Sequence, residues 1–152
     1  VIIAAAAGRP ARAGGGPEAE ERLRRLPALA PLALHGYDAV SYFLPGGPVA
    51  GLPAHEVAWA GRSWRFAKGA NREAFRRDPE IYAPRLGGHD PVGVAQGRIV
   101  DADPLVFAIL DARLYLFRDA QRRARALAEP EILGRAEAGW PALRPLIEDP
   151  PR

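Results

Sequence analysis

The chain has 152 residues, 48% of them hydrophobic and 26% charged, enough for one domain with its own core or two very small units sharing one. It contains no Cys, which excludes a disulfide framework, a thiolate zinc site, an iron–sulfur cluster and a cysteine nucleophile. The net charge of +3 is spread out against 18 acids and makes a poor case for a nucleic-acid partner.

Residues 1–17 read as a disordered leader or the remnant of a signal peptide. The absence of Met makes Val1 a processed, trimmed or fragment end. Val1 to Ala7 is apolar but too short to span a bilayer, and Ala11-Arg12-Ala13 has the small-x-small pattern that precedes signal-peptidase cleavage. That pattern favours a periplasmic or secreted protein, with a cytoplasmic one the other reading. Residues 18–31 hold a short helix, Glu18 to Leu26, with acids in its first turn and arginines in its last, and a linker stopped by Pro27 and Pro31.

His55 to Ala60 and Arg62 to Ala67 are two apolar and aromatic runs parted at Gly61, which predicts a hairpin with Trp64 and Phe66 on one face. Lys68 to Arg77 predicts a helix with Ala70, Ala74 and Phe75 inward and Arg72, Arg76 and Arg77 outward. Asp78-Pro79 ends it, because proline disfavours helical geometry in the residue before it, and Ile81, Tyr82 and Pro84 follow as a packed tail. The pattern then recurs. Leu105 to Leu110 and Arg113 to Phe117 flank an Asp111-Ala112 turn, Arg118 to Ala128 is helical, and Glu129-Pro130 closes the segment. A last helical segment, Leu133 to Ile147, carries Trp140 as an anchor onto the core.

Sliding the chain by 51 residues makes nine identities in the 36 pairs from Gly46 to Ile81. Chance in this composition gives roughly three or four. One further residue of offset lays Gly36, Asp38 and Val40 on Gly88, Asp90 and Val92. A hairpin and one helix bury too little surface to be stable alone, so two copies sharing a core in a pseudo-twofold arrangement are expected.

Each copy resembles a YHS domain, a small treble-clef-like module related to zinc-finger-like metal-binding folds. The likeness rests on Gly-Tyr-Asp-Ala-Val-Ser-Tyr-Phe at Gly36 to Phe43, the hairpin end Trp64-Arg65-Phe66, Asn71 to Phe75, and Asp78 to Pro84. In the second copy it rests on Gly88 to Val92, Tyr115-Leu116-Phe117 and Glu129 to Ile132, with Ala126 where the family has an aromatic residue. Ala138 to Leu143 resembles the end of secreted members, and the likeness runs from about Leu34 to Leu146. It implies thiolate metal ligands at Ser41, Ala67 and Asn71 and at Gly93, Arg118 and Arg122, and all six positions lack a thiol. Thiolate binding of soft metals is therefore not available here.

The remaining polar residues offer three sites. His35, Asp38, His89 and Asp90 converge if the copies face each other, and two imidazoles with two carboxylates suit zinc or copper(II). The bland counterpart is a pair of turns capped by Asp. Ser41 with His35 or His89 and Asp38 or Asp90 makes a Ser-His-Asp set on paper, but no nucleophile elbow accompanies it, so no enzyme is expected. Arg72, Arg76, Arg77, Arg122, Arg123 and Arg125 form a basic strip for anions, or simply a solvated face. His55 has no assigned role.

The expectation is thus an α+β protein of two hairpin-plus-helix units, residues 32–86 and 87–134, with a C-terminal helix and tail at 135–152. Its expected function is a non-enzymatic, cysteine-free YHS-like binding or structural module without cofactor or membrane span. A His/carboxylate zinc or copper(II) protein and an Arg-based anion binder are the other readings. The partner, a protein or a small ligand, is unknown; exposed aromatics such as Tyr42, Phe43 or Trp59 would form the interface.

Overall fold

The computed structural model describes residues 16–18, 21 and 30–148. The leader, its cleavage pattern and most of the predicted first helix lie outside the described residues. Within them the chain is α+β, with two separate antiparallel hairpins, six α-helices of four residues or more and three short 3-10 helices. Strand β1 (Leu52–Trp59) pairs with β2 (Arg62–Phe66), and helix α1 (Gly69–Arg77) and the single turn α2 (Pro79–Tyr82) follow. Helix α3 (Pro91–Ala95) precedes β3 (Asp103–Leu110) and β4 (Arg113–Phe117), then α4 (Ala120–Ala128), α5 (Glu131–Leu143) and α6 (Pro145–Glu148).

The duplication is written into the backbone. Both strands of each hairpin and the helix after it superpose in number at an offset of 51, with the same register. A register shift falls between Leu52 and Glu56 in β1 and between Asp103 and Phe107 in β3. Both hairpins turn through two left-handed residues, Ala60-Gly61 and Asp111-Ala112, the pair of positive φ angles that a type I′ turn needs. Ahead of each hairpin a 3-10 turn, Ala33–Gly36 or Arg85–Gly88, repeats at an offset of 52. Asp38 N donates to Val49 O at 2.9 Å, and Asp90 N donates to Val100 O at 2.9 Å. The 3-10 helix Ala39–Phe43 is replaced by α3 at the same offset and length, and the one residue lost between the copies falls in the loop that leads from them to Val49 or Val100.

The expected single shared core is in fact two clusters joined through β4. Alternation along this strand sends Leu114 and Leu116 into the first cluster, with Val40, Tyr42, Trp64, Phe66 and Phe75. Tyr115 and Phe117 point to the other side, with Val92, Val94, Ala126, Ile132 and Ala136. Helix α5 therefore supplies core to the second unit, and it begins at Glu131, before the predicted start of the C-terminal segment at 135. Phe75 and Ala126 occupy equivalent sites, both fully buried; beside the smaller Ala126, α5 contributes Ile132 and Ala136.

Three burial expectations fail. Ala70 is exposed, and Asn71 turns inward instead because it has a buried acceptor. Ile81 is 55% exposed, so the segment after α1 is not packed throughout. Tyr42 is buried rather than available to a partner; its hydroxyl donates to Pro104 O at 2.7 Å and its ring meets Phe107 edge-on.

Candidate functional site

Two carboxylates occupy equivalent centres of the two units. Asp38 and Asp90 are both 0% exposed. A buried carboxylate is costly unless it is fully hydrogen-bonded, so each site has to be built around its acid. Asp38 accepts from the amides of Val40 at 2.9 Å, Ser41 at 3.3 Å and Ala67 at 2.9 Å, and from Asn71 Nδ2 at 2.7 Å. Asp90 accepts from the amides of Gly93 at 2.8 Å and Arg118 at 3.1 Å, and from Arg122 Nη1 at 2.7 Å. Each acid thus caps the short helix after it, ties down the residue after the second strand of its hairpin, and holds the first turn of the next helix.

The donors are the positions that the resemblance marks as thiolate ligands. Ala67 and Arg118 give backbone amides, and Asn71 and Arg122 give side chains. The third position differs between the copies. The Ser41 hydroxyl donates to Asp38 O and accepts from Val49 N at 3.0 Å. At Gly93 a Cβ would lie 2.6 Å from Val100 Cγ2, so only glycine fits beside that valine. The sequence places Asn71 among the absent thiols and Arg122 both there and in the basic strip, and assigns neither to a buried acid. Their common offset of 51, with a polar residue in the first turn of each helix, was the signal that they share a buried acceptor.

The four predicted metal ligands divide differently. Among the described residues no group of three or more His, Cys, Asp or Glu side chains is placed to hold a metal ion. The histidines are also not equivalent to each other, since the 52-residue offset pairs His35 with Gly87 and His89 with Tyr37. Both histidines instead line a cleft of about 580 Å³, together with Trp59, Arg62, Asp101 and Trp140. That volume lies within the range of small-molecule sites.

His89 stands between the second unit and α5. Its ring lies 5.9 Å from that of Trp140, whose indole also packs against Gly87, so Trp140 does anchor the C-terminal helix. Burial lowers its proton affinity below the ordinary imidazole value and Arg62 adds to this; Asp101, with a carboxylate oxygen 4.0 Å from Nδ1, and a backbone hydrogen bond with Val100 oppose it. Nδ1 is buried and has no hydrogen-bond partner. His35 is held at φ 52°, a left-handed conformation that the second unit assigns to Gly87 at φ 59°. A non-glycine residue there is strained.

The other two predicted sites are largely spoken for. The hydrogen bonds of the Ser41 hydroxyl run to backbone, not to a histidine. Of the basic strip, Arg72 and Arg76 pair with Glu73, Arg122 with Asp90 and Arg125 with Glu129, while Arg123 donates to Phe107 O. Trp59 is half-buried, packed edge-on against Trp64 and Phe75. His55 is half-buried and its Nδ1 has no partner. A second network, Arg85 with Glu137 at 2.8 and 2.9 Å and Tyr115 with Glu137 at 2.8 Å, fastens α5 to the turn at Arg85–Gly88 and to β4. The Arg85 guanidinium holds the Glu137 carboxyl below the usual carboxylate range.

No family model matches the chain, and no curated protein or solved structure matches it. What fold and site together define is a cysteine-free α+β protein of two repeated hairpin–helix units, closed by a C-terminal helix. No helix among the described residues is long and apolar enough to cross a membrane.

Proposed function

We propose that the chain is a non-enzymatic, YHS-like binding module in which the metal-holding centres of such a module have become structural, and whose recognition surface is the cleft between the units. One observation carries this. The carboxylates of Asp38 and Asp90 have their close donors supplied by the chain, all but the Val40 amide at positions that the resemblance gives to thiolates. Groups so engaged hold a framework together and are poorly placed to bind anything else. The cleft, by contrast, gathers aromatic faces, two imidazoles and an arginine without an acidic partner among the described residues.

The test is to map small probes onto the isotopically labelled protein by amide chemical shifts, using neutral, cationic and anionic aromatic compounds at millimolar concentration. Perturbations centred on Trp59, Arg62, His89 and Trp140 are expected for at least one probe. If no probe class perturbs these residues, the binding reading fails and a purely structural module is left.

A further inference from the structure

The nature of the ligand follows from which groups in the cleft are already satisfied, and this inference rests on the cleft being a binding surface. All three tryptophans of the chain line it, Trp59 and Trp64 from the first hairpin and Trp140 from α5. Tryptophan is the largest aromatic face available; Trp64 is buried in the first core cluster, and the half-buried Trp59 and Trp140 favour a ring as the bound group. Among the charged residues there, Arg85 is matched by Glu137 and Arg144 by Glu148. Arg62 is half-buried and has no acidic partner among the described residues, yet it lies near enough to His89 to disfavour its protonation. Of the acids there, Glu80 is exposed, and Asp101, completely exposed itself, faces His89 Nδ1 at 4.0 Å. The positive group without an acidic partner is therefore half-buried, and the acids of the cleft stand exposed at its rim. Two imidazoles also line the cleft, His89 facing Asp101 at 4.0 Å and His35 at a strained backbone position.

We propose that the cleft binds a small aromatic carboxylate, its ring against the tryptophans and its carboxylate on the Arg62 guanidinium, with His35 and His89 as further hydrogen-bonding groups. A guanidinium meets a carboxylate through two parallel N–H bonds, which are stronger than bonds between neutral groups.

The test is a titration of the full chain with phenylacetate, phenylacetamide and phenethylamine, read by the fluorescence of its tryptophans, all of which line the site. The acid is expected to bind about 10-fold more tightly than the amide or the amine, and to weaken as salt is raised. In Arg62→Gln the acid should fall to within about two-fold of the amide, with amide binding unchanged, while Arg62→Lys should keep part of the preference. Unchanged amide binding also reports that the Gln variant is folded. Equal binding of acid, amide and amine, or a preference that survives Arg62→Gln, overturns the carboxylate proposal and leaves the cleft as a binding surface. Binding of none of the three overturns both.

Discussion

Single residues decide where this molecule is rigid and where it is strained. Asp38 and Asp90 each organise three or more donors from distant parts of their unit, with no exposure to water. Asp90→Ala would leave two backbone amides and the Arg122 guanidinium without their acceptor. It should destabilise the fold by about 3 kcal/mol or more, measured by denaturant unfolding. Asp38→Ala removes an acceptor from neutral donors only, so its cost should be smaller, about 2 kcal/mol. His35 is the opposite case. Its φ of 52° suits glycine, and the second unit has Gly87 there. His35→Gly should therefore stabilise the protein by about 1 kcal/mol in the same measurement while weakening binding in the cleft. A loss of stability instead would mean that the imidazole holds the fold and does not serve the site.

At the level of elements, the repeat is what the sequence shows best. The hairpins, their turns and the following helices were legible because apolar alternation and the offset of 51 agreed with each other. The clasp was legible only in outline. Asp at each opening run read as a cap, which it is, but nothing local shows that its second oxygen reaches a residue 28 to 33 positions away. The assignment of Ala70 to the inner face failed because a helical period ranks alanine above asparagine, whereas a buried carboxylate reverses that order. The neighbouring residue is valine in both copies, but only Val100 approaches closely enough to exclude a Cβ at Gly93, whereas Val49 leaves room for Ser41 and donates its amide to the hydroxyl. Gly93→Ala should cost about 1–3 kcal/mol. Adding Val100→Ala should recover a good part of it, and a double-mutant cycle of unfolding free energies reads that coupling directly. Additive effects would remove the steric explanation.

For the whole molecule, the C-terminal helices complete the second unit and form one side of the cleft, and their attachment depends on ionisation. His89 has its proton affinity lowered in the folded state, chiefly by burial, from an ordinary value of 6.5. Asp101, Arg62 and Trp140 are the groups around it. The unfolded chain thus takes up a proton at a higher pH than the folded one, and stability falls as pH drops from 6.5 through the folded value. Glu137 is lowered from an ordinary 4.5, first by its hydrogen bonds to Arg85, so its contribution is present above 4.5 and is lost as pH falls through its folded value. Thermal midpoints should be flat from neutrality up to the ordinary tyrosine value of 10.0, above which buried Tyr42 and Tyr115 oppose ionisation, and should decline in the two acid windows; His89→Gln should remove the first of these only. The cleft was not foreseen from sequence because it gathers Trp59 and Arg62 of the first hairpin, His89 and Trp140 from three segments that no period or motif links. The central claim is that the two buried acids hold the framework without any metal. It is tested most directly by calorimetric titration of the chelator-treated protein with zinc and with copper(II). The account predicts no saturable binding below about millimolar for either ion. A one-to-one isotherm in the micromolar range that is lost in a His35→Ala, His89→Ala double variant would contradict it.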